Sequence, residues 1–399
     1  MSSFSRNVPI LAFCQAMSMS GASLMVATAA LVGLELAEDK SLSTLPLAAQ
    51  FIAVMLTSIP AAMLMNKIGR KGGFLFAFIF GVSGAVVSTL AIMQHEFWWF
   101  VAGVSLIGVF NSFANYYRFT AADAVDLDHK SRAISFVMAG GVIAAIIGPN
   151  LASYTRDSFQ GVAFAGSYAS LVVLYFLSVI AITFLKLPAE EHRDKKKETQ
   201  RPLLEIIKQP VCIVAIVCGM LGYGVMSFVM TATPLAMNHH NHDFSDTSFV
   251  IQWHVLAMFA PSFITGFIIR KIGELKVMLA GVLLGFACVI FNLAGTTILH
   301  FWIALVLLGL SWNFMFVGAT SLLTQAYHRA ERFKVQALND FIIFSVVAFA
   351  SLSAGYLQYN FGWRSVNMGV LPLLLIAMLS IVYLMVYKFR EKKQTCIQS

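Results

Sequence analysis

Arg118 lies at the end of an apolar run, within the stretch NYYRFTAADAVD that covers residues 115–126. A guanidinium inside a bilayer is costly unless it is paired or wetted, so this position demands a chemical role. Asn111, Asn115, Arg118 and Ala122 follow one another at intervals of four, three and four residues, which places them on one helical face. Such a face offers two amides and one cation to a polar or anionic ligand.

Three roles for Arg118 are open from the sequence. The side chain binds an anionic group of a solute, or it pairs with Asp123, Asp126 or Asp340 in a gate, or it only extends to the nearer membrane surface. Asp123 is five residues away, whereas charge pairs on a helix favour separations of three or four residues. Asp340 comes from a distant part of the chain and is therefore the more informative partner.

A second polar face follows the same spacing within another apolar run, and it consists of Asn313, Val317, Thr320 and Thr324. Other positions in the apolar runs add a further amide, a phenol and an indole, on Gln15, Tyr223 and Trp312. Asn and Arg side chains that face lipid are costly, so these residues are predicted to face a cavity. Few polar groups among many rings suit an amphipathic organic solute better than an inorganic ion. For the neutral residues, the alternative role is hydrogen bonding between packed helices.

Proton coupling requires a titratable group whose exposure to water alternates. Asp340, Asp123, Glu35 and His254 are the candidates on the chain. Burial favours the neutral form of a carboxyl group and a neighbouring arginine favours its charged form, so an aspartate near Arg118 can exchange partners with an anionic solute. The alternative for Asp340 and Asp123 is a tolerated carboxylate near a helix end, and for His254 it is a hydrogen-bonded core histidine.

The composition predicts that most of these residues lie in a membrane. Of the 399 residues, 59% are hydrophobic and 12% are charged, against roughly 25% charged residues in a soluble domain. A membrane-spanning helix needs about 20 mostly apolar residues. Twelve runs meet this requirement and predict an all-α membrane protein with twelve transmembrane helices: 8–34, 44–65, 73–94, 97–124, 133–155, 161–186, 209–235, 247–269, 275–298, 301–326, 336–358 and 366–388.

The basic residues divide unevenly between the two sides of the predicted membrane. Of the 27 Lys and Arg residues, 23 fall on the side of both termini, Arg118 lies within a span, and three fall on the other side, namely Lys40, Arg156 and Arg364. Basic loops face the cytoplasm, so both termini are predicted to be cytoplasmic. The net charge of +8 then reflects topology, and no nucleic-acid partner is predicted.

One long polar stretch, residues 188–208, divides the chain into six spans and six spans. The predicted units are an amino-terminal bundle over 1–187, a cytoplasmic linker over 188–208 and a carboxy-terminal bundle over 209–399. The segment NKIGRK after the second span resembles RKIGEL after the eighth at an offset of 204 residues, and Asn111 aligns with Asn313 at an offset of 202. Two repeats of six spans indicate a membrane transporter.

These features resemble the major facilitator superfamily over essentially the whole chain. The loop after the second span, AMLMNKIGRK, keeps Gly69, Arg70 and Lys71 of the family signature and has Asn66 where the family has an aspartate. The resemblance implies two pseudo-symmetric six-helix bundles, a central cavity lined by spans one, four, seven and ten, and a loop that holds the halves in one conformation. The stretch GGVIAAIIGPNLA (140–152) is similar to a Gly-Pro signature of the family's exporters, and close helix packing is its alternative role.

Other kinds of site are not favoured by the sequence. The five cysteines show no CxxC pair and four lie in apolar runs, which is typical of small core residues. No GxxxxGK[ST] phosphate loop occurs, and no nucleophile–base pattern predicts an enzyme. The stretch MNHHNHDFSD (237–246) contains metal-ligand residues, but its spacing matches no strong zinc pattern. We therefore expect no cofactor, no metal site and no enzymatic activity.

The sequence thus predicts a monomeric secondary transporter that moves a small anionic or amphipathic organic solute across the inner membrane. Alternating access and proton coupling are expected of it. The first alternative is an efflux antiporter for drug-like or siderophore-like compounds, since the Gly-Pro stretch favours export whereas Arg118 favours import of an anion. The second is a non-transporting membrane sensor on the same fold, which needs no continuous polar lining.

Overall fold

The computed structural model describes residues 7–125, 133, 136–159, 161–186, 201–328 and 331–398. Within these ranges the description leaves out the side chains of residues 66, 122, 123, 332, 333, 336, 337 and 392–398. Most of the predicted linker and Asp126 therefore lie outside the described residues, as do the side chains of Asn66 and Asp123.

The described chain is a succession of long helices, numbered here in chain order, and it contains no β-strand. Their bounds are α1 (Asn7–Leu36), α2 (45–68), α3 (70–93), α4 (Phe97–Ala114 and Tyr117–Asp123), α5 (Gly140–Thr155), α6 (Ala165–Thr183), α7 (Pro210–His239), α8 (Phe244–Phe259 and Ser262–Ile272), α9 (Glu274–Ala294), α10 (Ile298–Leu323), α11 (332–361) and α12 (363–398). Two short helices, Lys40–Leu42 and Leu203–Ile207, lie in the connections.

These helices have the length and composition of membrane spans. Ten helices of the described chain are long and apolar enough to cross a bilayer, and the bent pair of α8, with its 42° bend, makes eleven. The last of them, Leu338–Glu391, has 54 residues and is interrupted at Gly362, so it supplies two crossings, α11 and α12. Lipid offers no hydrogen bonds to the backbone, which is why the crossings are helical. The predicted all-α membrane fold is confirmed.

Two glycines reverse the chain on the side of the basic loops, which we call the basic side. Gly69 has φ 76° and ψ 159°, and Gly273 has φ 88° and ψ 155°. Residues with side chains rarely adopt these positive φ values, so glycine allows α2 to turn into α3, and α8 into α9, almost without a loop. The two turns lie 204 residues apart, as the sequence repeat indicates.

Small residues bring neighbouring helices into close contact. A Cβ on Gly84 of α3 would lie 2.6 Å from the carbonyl oxygen of Gly103 in α4, and a Cβ on Gly148 of α5 would lie 2.6 Å from that of Ser20 in α1. A Cβ on Gly140 would lie 2.8 Å from another backbone atom of α1. Helices in lipid associate mainly through such packing, because lipid chains are as apolar as leucine. The Gly-Pro stretch therefore packs α5 against α1.

The first six helices and the last six contact each other on the side away from the basic loops, which we call the opposite side. There Oγ1 of Thr44, the residue just before α2, donates to the Leu352 carbonyl oxygen of α11 at 3.2 Å. The rings of Phe164 and Phe244 also meet there, with centroids 4.8 Å apart. Asn150 of α5 donates to a side chain of α8 at 2.9 Å. These contacts close the halves against each other on the opposite side.

The end of the linker is fixed to the carboxy-terminal half. Arg201 Nε and Nη2 donate to the two carboxylate oxygens of Glu331 at 2.9 and 2.7 Å, and Glu331 is 1% exposed. This guanidinium, assisted by the backbone N–H groups of His328 and Arg201, holds the pKa of Glu331 well below its ordinary value. Because the folded pKa is lowered, this contact stabilises the protein at neutral pH and is lost only as the pH falls through the lowered pKa.

We expect Gly84→Ala to lower the thermal stability of the purified protein, because the added methyl group meets the α4 backbone. Overpacking of this kind costs about 1–3 kcal/mol. Gly266→Ala is the matched control, since a Cβ at Gly266 has no neighbour within 4 Å. Melting curves in detergent, followed by tryptophan fluorescence, measure both variants. Equal melting temperatures for Gly84→Ala and the wild type would contradict the close packing of α3 on α4.

Candidate functional site

Arg118 follows a short irregularity in α4. Asn115 and Tyr116 keep right-handed helical dihedral angles there, and the Asn115 N–H donates to the Asn111 carbonyl oxygen at 3.1 Å. Asn115 is exposed and Arg118 is half-buried, with the guanidinium carbon 4.9 Å from the centre of the Phe119 ring. The helical face predicted from the residue spacing therefore continues from Asn111 to Arg118.

The guanidinium of Arg118 has unused hydrogen-bonding capacity. Its Nε is buried and has no hydrogen-bond partner, and no described carboxylate forms an ion pair with it within 4.0 Å. Asp340 of α11 and Tyr223 of α7, both from the other half, are near enough to interact with it electrostatically. A cation held in this way between the two halves is available to an acceptor group of a ligand.

Asp340 and Tyr223 lie near Arg118, where the two halves come together. Asp340 is exposed and Tyr223 is half-buried, yet both lie deep among protein atoms. A side chain that solvent can reach although many protein atoms surround it faces an internal space. Because Arg118 comes from α4, Tyr223 from α7 and Asp340 from α11, both halves contribute walls to this central cavity.

A cluster of five rings lies beside the central cavity, and we call it the aromatic wall: Tyr223, Phe259, Trp312, Phe316 and Phe344. Trp312 and Phe316 stack with centroids 5.0 Å apart and 12° between their planes. Tyr223 packs edge-on against these two rings at 5.5 and 5.4 Å, Phe259 contacts Trp312 at 5.7 Å, and Phe344 lies 6.0 Å from Tyr223. The Nε1 of Trp312 is buried without a hydrogen-bond partner. Trp312 is only 6% exposed, so the wall presents mainly the half-buried rings of Tyr223, Phe316 and Phe344 to a flat aromatic ligand.

The predicted amide residues of α1 and α4 differ in their surroundings. Asn111 Oδ1 accepts a hydrogen bond from Ser18 Oγ at 3.4 Å, which connects α4 to α1. Gln15 is 8% exposed, and its Oε1 has no hydrogen-bond partner. Asn115 is exposed at the irregularity in α4. Asn111, Asn115 and Gln15 stay predictions for ligand contact.

Asn313 is occupied by its neighbours and does not face the central cavity. Its side chain is 0% exposed, and its Nδ2 donates to the Met258 carbonyl oxygen and to Ser262 Oγ, both at 2.7 Å. Its Oδ1 accepts from Thr265 Oγ1 at 2.7 Å. These bonds hold α10 against the bend in α8. Asn313 therefore forms hydrogen bonds between packed helices, which is the alternative that the sequence left open for it.

The predicted proton-coupling residues lie far apart. Asp340 faces the central cavity, whereas Glu35 is exposed at the end of α1 on the opposite side. His254 is 0% exposed in α8, with Nδ1 2.8 Å from a backbone carbonyl oxygen of α10. The side chain of Asp123 lies outside the described residues. Among the described candidates, Asp340 is the one beside Arg118.

The loop between α2 and α3 is anchored within the amino-terminal half. Arg70 Nη1 donates to Thr120 Oγ1 of α4 at 2.9 Å. Lys71 Nζ donates to the carbonyl oxygens of Thr183, the last residue of α6, and of Leu185 at 2.7 and 3.0 Å. In the second repeat, Glu274 accepts from a serine and a glutamine at the end of α10 at 3.2 and 2.8 Å. The first loop is thus attached to α4 two residues after Arg118.

Two rings of the aromatic wall, Phe259 and Phe344, are not indicated as site residues by their spacing in the sequence. Phe259 comes just before Pro261, where α8 bends, and Phe344 lies one helical turn after Asp340. A neighbouring proline and a neighbouring candidate residue are the sequence features that could have pointed to these two rings. They are too weak to select two of the 34 phenylalanines in the chain.

Repeated sets of membrane helices around a shared cavity define a transporter of small molecules. The comparison with protein families agrees with this class. A model of the Major Facilitator Superfamily matches residues 10–233 and, in a second match, residues 215–395. The chain belongs to the Major Facilitator Superfamily, and the resemblance seen in its motifs is confirmed.

Known proteins similar to this chain are transporters by name. The chain is 39% identical over 379 residues to the riboflavin transporter RfnT of Brucella anthropi, an alignment that covers 94% of this chain and 95% of that protein. It is 24% identical over 398 residues to YdeG and 25% identical over 394 residues to YddS, two uncharacterized MFS-type transporters of Bacillus subtilis. Those alignments cover 94% of this chain and 91% and 90% of the relatives.

We expect Asn115→Cys to react with a water-soluble maleimide, because Asn115 is exposed and lies one helical turn before Arg118, on the face predicted to line the central cavity. The described native cysteines are all buried, and Cys396→Ser removes the remaining background. Asn313→Cys is the matched control at a fully buried position and stays unlabelled. Mass spectrometry of the protein in nanodiscs measures both rates. Equal labelling of the two variants would show that the placement of these amides is wrong.

Proposed function

We propose that this protein transports a flat aromatic solute of the flavin class, with riboflavin as the first candidate. The observation that carries the proposal is the aromatic wall beside Arg118, whose Nε has no hydrogen-bond partner. The named solute of the relative from Brucella anthropi supports the same choice, since that alignment covers almost the whole of both chains.

The chemistry of riboflavin suits the central cavity. Its isoalloxazine is a flat tricyclic ring that stacks on aromatic side chains, and its pyrimidine edge carries carbonyl oxygens and a ring nitrogen that accept hydrogen bonds. Arg118 Nε and Trp312 Nε1 are buried donors without partners, so a ligand that bonds to them removes a cost the protein otherwise bears. Asn115 and Asp340 are exposed and can bond to the ribityl hydroxyl groups.

Riboflavin is uncharged at neutral pH. Of the two solute classes expected from the sequence, anionic and amphipathic, the proposal therefore keeps the amphipathic one. Arg118 then serves as a hydrogen-bond donor to a ring carbonyl oxygen, and Asp340 balances its charge across the cavity. The remaining alternative is an anionic aromatic solute that pairs with Arg118. Flavin mononucleotide, which carries a phosphate group, distinguishes the two, because a charge-pairing role favours it over riboflavin.

We infer that transport proceeds by alternating access in a monomer. The halves contact each other on the opposite side, for example through Phe164 and Phe244, whereas Asn115 and Asp340 are exposed. This arrangement corresponds to a state that is open to the basic side. The excess of Lys and Arg supports a cytoplasmic basic side and cytoplasmic termini in an inner membrane. In intact cells, Asn115→Cys is then labelled by a permeant maleimide and protected from an impermeant one.

We further propose that Asp340 couples transport to protons, because it lies near Arg118. When Arg118 directs its donors to the solute, its attraction for the Asp340 carboxylate weakens, and Asp340 more readily takes up a proton. Because Asp340 is exposed to the central cavity, the proton can enter from whichever side the cavity faces. Movement of the solute and movement of the proton are thereby linked.

Trp312→Ala should lower the initial rate of riboflavin transport into proteoliposomes about tenfold or more, because stacking of a heteroaromatic ring is worth about 1–3 kcal/mol. Trp312→Phe keeps a ring for stacking and should retain most of the rate. Trp99→Ala is the control, since Trp99 is 63% exposed and lies outside the aromatic wall. Absence of riboflavin transport by the wild type in both directions would refute the flavin proposal.

Asp340→Asn should abolish riboflavin accumulation driven by a pH gradient while leaving solute exchange at equal concentrations intact. The amide keeps the shape of the side chain but no longer takes up a proton in this pH range. Asp157→Asn is the matched control, because Asp157 is 80% exposed on the opposite side. Uptake into proteoliposomes with and without an imposed gradient measures both activities. Unchanged gradient-driven accumulation in Asp340→Asn would remove Asp340 from the proton path.

A further inference from the structure

A cavity of about 450 Å³ lies between the two halves on the opposite side, away from the aromatic wall. Ligand pockets in proteins have volumes of about 300–1,000 Å³. One wall comes from the end of α1 and the connection between α5 and α6, and the other comes from the end of α7 and the start of α8. We call this space the opposite-side cavity. Neither the central cavity nor the proposed function accounts for it.

Three charged side chains line this cavity, and their bonding groups are largely unused. No hydrogen bond or ion pair to a described residue engages the carboxylates of Glu35 and Asp243, although Asp243 stands at the cap position of α8. Arg156 has a buried Nε without a hydrogen-bond partner, and its ion-pair contact is the adjacent Asp157 at 3.8 Å. A buried N–H such as that of Arg156 Nε is normally bonded, so its free state beside a cavity points to a ligand acceptor, whereas the carboxylates of Glu35 and Asp243 are exposed and accessible to hydroxyl donors.

Aromatic rings from both halves flank the guanidinium of Arg156. Its Cζ lies 5.3 Å from the Phe164 ring centre and 5.6 Å from that of Phe244. Phe164 has a φ of 67°, a left-handed value that a bulky residue rarely adopts. Such backbone strain persists only where the surrounding structure requires it, and it concentrates at ligand sites.

The charges and rings of the cavity define the class of ligand. Two carboxylates, on Glu35 and Asp243, face one guanidinium, on Arg156, so a phosphate or carboxylate is repelled and hydroxyl donors are accepted. The rings of Phe164 and Phe244 are 5% and 7% exposed and form an apolar boundary of the cavity, which is compatible with the ring of the proposed solute. A neutral aromatic molecule with several hydroxyl groups meets both requirements.

The geometry points to a second binding site for the transported solute, occupied on the opposite side while the central cavity is open to the basic side. The hydroxyl groups donate to Glu35 and Asp243, the ring lies against Phe164 and Phe244, and a ring acceptor receives the Nε hydrogen of Arg156. This site rests on the proposed flavin-class solute and adds a binding step next to the central one. Because the two rings also join the halves, solute at this site touches the contact that must part when the opposite side opens.

Equilibrium dialysis of radiolabelled riboflavin against the full chain in nanodiscs tests the second site. We expect two bound molecules per protein in the wild type. A variant with both Arg118→Ala and Trp312→Ala should retain the opposite-side molecule. A variant with both Glu35→Gln and Asp243→Asn should retain the central molecule and bind the other about tenfold more weakly or worse, because hydrogen bonds to charged groups are lost.

Glu38→Gln is the matched control, since Glu38 is an exposed carboxylate on the same side and outside the cavity lining. It should bind two molecules like the wild type. Central binding in the Glu35→Gln and Asp243→Asn variant shows that the protein is folded, so the loss of one molecule cannot come from unfolding. Flavin mononucleotide should bind the second site at least about tenfold more weakly than riboflavin, because its phosphate meets two carboxylates.

A single bound riboflavin in the wild type, with transport intact, would overturn the second site and leave the proposed function standing. Two bound molecules that are insensitive to Glu35→Gln and Asp243→Asn would overturn the assignment to this cavity. If the wild type neither transports nor binds riboflavin, the proposed function fails, and the second site fails with it.

Discussion

The cost of an unpaired polar group in a membrane is the constraint on which the rest of this structure depends. Lipid chains neither hydrate a guanidinium nor bond to a free backbone amide, so the spans are helical and Arg118 turns away from lipid. It lies between the halves, where Asp340 and Tyr223 interact with it electrostatically. The same placement that lowers the cost of the charge leaves its Nε without a partner and available to a ligand.

Contacts within each half and contacts between the halves are of different kinds. Within the first half, backbones meet at glycines such as Gly84 and Gly148, where even a methyl group has no room. Between the halves, the described hydrogen bonds come from side chains such as those of Thr44 and Asn150. Side-chain bonds can break and re-form without disturbing a helix, whereas close backbone packing resists change, which favours movement of each half as a rigid body.

Whether a predicted site residue is free to contact a ligand depends on where neighbouring helices bend. Asn111 and Asn313 occupy equivalent positions in the sequence repeat, and their spacing predicts equivalent roles. The 42° bend in α8 near Pro261 brings a carbonyl oxygen and two hydroxyl groups close to Asn313. Asn313 forms hydrogen bonds with all three and is therefore not available to a ligand. Asn111 has one long hydrogen bond of 3.4 Å and keeps most of its capacity. Sequence periodicity cannot predict this difference, because a bend changes the neighbours of another helix.

The sequence by itself determined the character of the spans, the family, and the repeat of the loop segments that contain Gly69 and Gly273. Those properties depend on transfer of side chains from water to lipid and on local backbone sterics, both of which act over a few neighbouring residues. Only the tertiary structure decided that Trp312 stacks in an aromatic wall, that Asp340 faces Arg118, and that a second cavity lies on the opposite side. These features join helices far apart in the chain, and their geometry is set by packing, which no local pattern encodes.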